Sequence, residues 1–374
     1  MILVTGATGY LGSYAVTELL ERTSDRLALL VRAPDRDAAV ARLWKSLQLH
    51  LDPEAFRAAL PRLEPLLGDL HAPGLGLDDK TTERLSAEVD SVLHIAASLN
   101  RKSEKACLNT NLRGALSVVQ LARRIADTSG LRRFTFVSTV AVAGERQGEV
   151  VHEEDAVDWG RHDYDPYART KKFGEHLVRT LLSDVSTVIV RPSIVLGDSR
   201  RPETTQFDMV RATFTLADLP VAPLRRDARL DIVNADFVGR ALVKLHLKPQ
   251  PTWDTYHLSA GTSAPTAGAL SDAVREAAGR RRQRFAPRLD RPFEWTFRAM
   301  NRLPRGKVQS AGAVMKVFWP YITFDTVFAN RRVLIDTGEA PVSFVAYGGD
   351  LYRWCREHRY RYPYVPLPAA REAA

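Results

Sequence analysis

An α/β chain, a doubly wound parallel sheet followed by a smaller and mostly helical part, is predicted by three features of the sequence. The apolar run 2–4 has the composition of a buried strand and breaks at once into Gly6, Gly9 and Gly12, so a strand meets a tight turn and then a helix. A second buried-strand run, 27–31, follows a helical pattern over 11–22, which completes a strand–helix–strand unit of the Rossmann type within about thirty residues. The 374 residues are long for one domain and short for two full ones, so one large α/β unit carries an elaboration.

Each stretch in order refines this outline. In the glycine turn, a residue without a side chain lets the backbone approach a pyrophosphate, and the N–H groups and dipole at the start of the helix stabilise its charge. The residues expected around it are Gly6, Thr8, Gly9, Tyr10, Leu11 and Gly12. The second strand closes on Arg32, with Arg36 four residues on. A carboxylate there would suit a free ribose 2′-hydroxyl, whereas a guanidinium pairs with a 2′-phosphate, so NADPH is expected over NADH unless Arg32 is only a polar strand end.

Helices are predicted over 35–51 and from Asp52, an N-cap before Pro53, to residue 60. The strand run 63–70 delivers Asp69 and Leu70; Asp69 can accept from an adenine amino group or cap the next segment. The strand run 90–97 ends in Ala96 and Ala97, small enough for a cofactor to lie across the strand ends, and His94 reads as a packed strand histidine. A long helical pattern over 104–128 contains Asn111, an unfavoured residue mid-helix that calls for a backbone or water partner. The strand run 133–141 delivers Ser138 and Thr139, and a helix opening at Pro166 and running to 182 carries Tyr167 and Lys171, four apart and on one face.

That pair carries the chemistry. A phenol is a poor acid or base at neutral pH, and an ammonium one turn away is expected to pull its pKa down. Thr139 can hold a substrate oxygen while Tyr167 protonates it after hydride reaches the carbon. Lys171 is expected to bond the nicotinamide ribose as well, and Asn111 to anchor a water that relays the proton.

The order glycine turn, Arg32, Asp69, His94-x-Ala-Ala, Asn111, Thr139, Tyr167 and Lys171 resembles the extended short-chain dehydrogenase/reductase superfamily over roughly residues 1–200. The resemblance implies that Thr139, Tyr167 and Lys171 are catalytic, with Asn111 in support. Residues 188–199, Val-Ile-Val-Arg-Pro-Ser-Ile-Val-Leu-Gly-Asp-Ser, together with 229–238 and 256–261, are similar to the thioester reductase and fatty acyl-CoA reductase branch, the male-sterility type. That likeness adds Pro192, Ser193 and Ile194 to the expected cofactor contacts. Two departures stand out: Arg200-Arg-Pro-Glu203 replaces the usual Thr-Gly, and Asn234 stands where proline is common. The implied activity is NADPH-dependent reduction of a thioester or carbonyl on an acyl chain carried by coenzyme A or a carrier protein. A nucleotide-sugar epimerase or dehydratase, a sterol-type dehydrogenase and a non-catalytic NADP sensor share the fold. Arg32 disfavours the sugar-nucleotide enzymes, and an intact Thr139, Tyr167 and Lys171 disfavours the sensor.

Residues 1–261 are thus expected to form the NADP-binding domain, including a substrate loop at about 193–230, and 262–374 a helical substrate-binding region. Helices are predicted over 265–279, 293–301 and 344–360, and the tail after Pro363 is expected to be mobile. Phe293, Trp295, Phe297 and Arg298 mark the second of these helices. Trp319, Tyr321, Phe318, Pro320 and Phe324 either line an apolar acyl pocket or fill the core.

Composition bounds the rest. With 45% hydrophobic and 26% charged residues the chain is ordinary for a globular protein, and two cysteines, Cys107 and Cys355, build neither a disulfide framework nor a zinc site. A net charge of +9 suits an anionic partner, including an acidic acyl-carrier protein. Arg280–Arg282 and Arg331-Arg332 read as solvated faces, and no basic motif interleaved with aromatics speaks for nucleic acid. A strand starting at residue 2 leaves no room for a leader, and no apolar stretch approaches eighteen residues, so a cytoplasmic protein without a spanning helix is expected.

Overall fold

The structure, a computed structural model, describes residues 1–155, 157–300, 306, 312, 319, 321–323 and 325–369. Strands Ile2–Thr5 (β1), Leu27–Val31 (β2), Leu63–Leu67 (β3), Ser91–His94 (β4), Arg133–Val137 (β5), Thr187–Pro192 (β6) and Thr255–Leu258 (β7) form one parallel sheet in the order β7–β6–β5–β4–β1–β2–β3. The order reverses between β1 and β4, the crevice where open parallel sheets bind ligands at the carboxyl ends of their strands. Buried on both faces, β1 and β2 read as continuous apolar runs, as parallel strands do.

Helices Tyr10–Arg22 (α1), Arg36–Leu47 (α2), Pro53–Ala59 (α3), Asp79–Glu88 (α4), Glu104–Cys107 (α5), Ala115–Thr128 (α6) and Pro166–Leu181 (α7) cover the sheet. Asp35, Asp52, Asp78 and Asp165 cap α2, α3, α4 and α7, each accepting a backbone N–H from the first turn. The helical pattern predicted over 104–128 is one continuous run, but its middle, Leu108–Gly114, is a π-helix centred on Asn111. Such insertions cluster at functional sites.

A second core lies beyond the sheet's carboxyl edge. Leu196, Met209, Phe214, Leu270, Trp319, Tyr321, Phe344 and Leu351 are buried together there, from helices Asp208–Asp218 (α8) and Ala267–Ala277 (α9), the helix Phe344–Glu357 and the segments between. Tyr321 also reaches the cleft described below, whereas Trp319 is core, its indole N–H donating to Asp290. Phe318, Pro320 and Phe324, and the side chains of Phe297 and Arg298, lie outside the described residues.

The tail corrects an expectation. Instead of moving freely after Pro363, residues 362–368 are fastened to α2 and α3: Trp44 Nε1 donates to Val365 O (2.8 Å), Val365 N donates to Gln48 Oε1 (2.9 Å), and Arg57 donates to Pro368 O. Lys45 sits 4.7 Å from the centre of the Tyr364 ring. Backbone groups with specific partners, not position in the chain, decide order here.

Three fully buried histidines make stability depend on pH. Burial pushes His94, His246 and His257 down to about 3. Thr5 and Thr135 hydroxyls bond the first two, and the third bonds Ala329 O. An unfolded chain protonates histidine near about 6.5, so between that pH and about 3 it binds more protons than the folded chain, and stability falls as pH falls. Asp231, pushed up to about 6 by burial, and Glu153, also raised, act the other way but are outnumbered. The urea midpoint is therefore expected to drop from pH 7 to pH 5, by about 1.4 kcal/mol per pH unit for each net proton. An unchanged or rising midpoint contradicts it.

Candidate active site

The site begins at the glycine turn. Gly6 adopts φ +82°, and a side chain there would meet Ala96 N at 2.6 Å; a Cβ on Gly12 would lie 1.9 Å from Gly6 O. Gly9 is the N-cap of α1, and no acidic side chain occupies that helix's first turn. The turn is thus packed too closely on the backbone around it for a side chain at 6 or 12, and the first N–H groups of α1 open beside it with no carboxylate among them, which fits a bound pyrophosphate.

From this turn a cleft of about 930 Å³ runs along the carboxyl ends of the strands. All of the residues expected from the sequence to touch a cofactor line it: Gly6, Thr8, Gly9, Tyr10, Leu11, Gly12, Arg32, Asp69, Leu70, Ala96, Ala97, Tyr167, Lys171, Pro192, Ser193 and Ile194. At one end Arg32 lies 3.8 Å from Asp69, whose other oxygen accepts from His71 N (2.9 Å). Arg42 joins them, donating to Arg32 O (2.8 Å), while Arg36 does not line the cleft.

At the other end Thr139, Tyr167 and Lys171 come together. Thr139 caps a short 3-10 helix, Val140–Ala143, its hydroxyl accepting from Ala141 N at 3.3 Å, and it stands beside the Tyr167 phenol, where it favours the ionised form. Lys171 is fully buried and donates to Val137 O at 2.7 Å, lying 4.8 Å from the centre of the Phe136 ring. Burial pushes its pKa down to about 7. Asn111 is fully buried and its amide is engaged on both sides: Oδ1 accepts from Ser98 N (2.7 Å), and Nδ2 donates to Ser98 O (3.2 Å) and Thr170 Oγ1 (3.2 Å). The side chain therefore clamps the loop after β4 to α7.

The expected effect of Lys171 on Tyr167 is corrected. Burial raises the Tyr167 pKa, and the cation that opposes it is Arg101, with Lys171 turned to the β5 carbonyl. The Arg101 guanidinium lies 4.3 Å from the ring centres of both Tyr167 and Tyr321 and 3.0 Å from Asp165. Sequence reasoning missed it: Arg101 sits in a loop, 66 positions before Tyr167, with no motif around it.

Several motif residues prove to be framework. Arg191 of the Arg-Pro-Ser stretch forms a buried bidentate pair with Glu175 on α7 (2.9 and 2.7 Å), and Glu175 also accepts from Ser138 (2.5 Å). Asn234, in place of proline, donates to Asp236 (2.8 Å) and accepts from Val342 N (2.9 Å). In the divergent loop, Arg200 and Arg201 pair with Asp198, and Arg201 donates to Leu49 O. Phe207 and Met209, just past it, line the cleft with Leu99, Tyr164 and Tyr321. Among the described residues, no group of His, Cys, Asp and Glu is arranged to hold a metal ion, and no helix is long and apolar enough to cross a membrane.

The family described as male sterility protein matches residues 4–242 of this chain. A subunit of the linear gramicidin synthase of Brevibacillus parabrevis is 31% identical over 263 residues, covering 68% of this chain and 5% of that protein. A carboxylic acid reductase of Mycobacterium marinum is 31% identical over 285 residues, covering 69% of this chain and 24% of that protein. The chain thus spans a quarter or less of the length of these two relatives. Among solved structures, the terminal R domain from the myxalamid PKS-NRPS biosynthetic pathway superposes with a TM-score of 0.82 at 25% identity, over 96% of this chain and 91% of that one.

Proposed function

Since the chain belongs to the male sterility protein family, in the thioester reductase and fatty acyl-CoA reductase-like branch of the extended short-chain dehydrogenases/reductases, and is an NAD(P)-dependent oxidoreductase, we propose that it uses NADPH to reduce a thioester, or the derived carbonyl, on an acyl chain. The observation that carries this reading is the continuous cleft that joins the glycine turn to Thr139 and Tyr167 and extends to an apolar wall of Leu99, Phe207, Met209 and Tyr321.

The residues fit such a cofactor. The glycine turn and the start of α1 would hold the pyrophosphate, Arg32 and Arg42 the 2′-phosphate, and Lys171 the nicotinamide ribose. NADPH when bound supplies the hydride. The rest is the protein's work: Thr139 holds the acyl oxygen by its hydroxyl, and Tyr167, kept protonated by burial, donates its proton to that oxygen. Asn111 fixes the loop that forms one wall. Coenzyme A or an acidic carrier protein suits the chain's charge of +9 as the acyl carrier.

Purified protein assayed for NADPH oxidation with acyl-CoA esters, aldehydes and ketones tests the reading; no turnover with any thioester or aldehyde refutes it. For the cofactor, Arg32→Ala and Arg42→Ala are each expected to weaken NADPH binding by roughly tenfold or more, as loss of a charge-assisted bond does, and to leave NADH nearly unchanged. Equal losses for both cofactors in a fluorescence titration would reject the 2′-phosphate assignment.

A further inference from the structure

Tyr167 is 7% exposed, and several groups face it. On its own helix stand Asp165, two residues before, and Lys171, one turn on and directed to Val137 O. The strand end contributes the Thr139 hydroxyl, α5 the thiol of Cys107, and the segment 321–323 the phenol of Tyr321. The loop after β4 contributes Arg101, among the described residues the permanently charged cation laid on the ring, since Lys171 is pushed down to about 7 by burial.

Arg101 is held from all sides. Its side chain is 13% exposed; the rings of Tyr167 and Tyr321 lie 4.3 Å from it, and Asp165 accepts from Nη1 at 3.0 Å while also accepting from the Tyr321 hydroxyl at 2.8 Å. Asp165 caps α7 through Ala168 N (2.8 Å), so the same carboxylate orients the helix that carries Tyr167 and the guanidinium that covers it. Asn111 ties the base of the Arg101 loop to that helix.

We propose that Arg101 is a positioning residue for the proton donor, its guanidinium stacked on Tyr167 setting how readily that phenol releases its proton, with Asp165 moderating it. A cation over an aromatic face is attracted to the ring and more strongly to the ring bearing a phenolate charge, so stacking favours proton release that burial opposes. This is the part that helical spacing alone assigns to Lys171. The inference rests on the reading of Tyr167 as the proton donor, and it is tested without turnover.

The protein labelled with 3-fluorotyrosine is titrated by fluorine NMR, the Tyr167 signal being the one that Tyr167→Phe removes. In Arg101→Gln, which keeps a planar amide able to reach Asp165, the midpoint is expected to rise by about one unit or more. In Asp165→Ser, which retains an N-cap hydroxyl for α7, it is expected to fall. Opposite movements are what electrostatic setting demands; a general loosening of the site would not split the two signs. A midpoint that stays or falls in Arg101→Gln, or that stays or rises in Asp165→Ser, overturns the inference, and either variant decides if the other fails to fold. Full turnover in Tyr167→Phe would remove the proton-donor reading and leave the titration result standing.

Discussion

Replacing Tyr167 by phenylalanine is expected to lower kcat by roughly a hundredfold to ten-thousandfold, the range that general acid catalysis contributes, while NADPH still binds. The ring stays, so the packing against Arg101 and the shape of the cleft stay with it. What goes is one proton donor, set beside the Thr139 hydroxyl and kept protonated by burial. Steady-state rates with an acyl thioester, set beside a fluorescence titration of NADPH, check both halves. Full activity would show that the proton comes from elsewhere.

The second large effect is on stability. Glu175 is 1% exposed and Arg191 5%, and they are paired twice over, with Ser138 adding a third bond to the carboxylate. Glu175→Ala leaves the guanidinium buried without its counter-charge and is expected to cost about 3–5 kcal/mol. Removing both charges, as Glu175→Leu with Arg191→Met, is expected to recover most of that loss, because the desolvation of two ions disappears with them. Urea unfolding of the two variants separates the cases; a double variant no more stable than Glu175→Ala would mean that this pair stabilises the fold outright.

The sheet was legible because parallel strands buried on both faces leave continuous apolar runs, as at 27–31, and the turn after β1 because side chains at 6 and 12 would collide with the backbone of Ala96 and Gly6, which leaves glycines there. Tyr167 and Lys171 were singled out by their four-residue spacing together with their place after the glycine turn, Arg32, Asp69, Asn111 and Thr139. Spacing could not show where their side chains turn, since Lys171 finds a carbonyl on β5 that lies 34 residues away. Arg101, Arg42 and the Tyr321 contact were illegible for the same reason: each acquires its partner through tertiary packing, Tyr321 meeting Asp165 across 156 positions. The role of Arg191 was hidden by the motif that contains it. A recurring Arg-Pro-Ser stretch beside a cleft suggests contact with a ligand, yet its arginine faces inward and fastens β6 to α7.

The fastening of residues 362–368 to α2 and α3 bears on how the protein is born. Trp44 meets Val365 across 321 positions, and at about 5–20 residues per second of synthesis the partner emerges roughly 16–64 s after the tryptophan. Until then the indole N–H of Trp44 and the amide of Gln48 have no partner from the tail, on the helix that also presents Arg42 to the cleft. A nascent chain halted before residue 362 would therefore carry a finished sheet edge with an unlatched outer helix, an exposed surface on which a chaperone could act while the ribosome works.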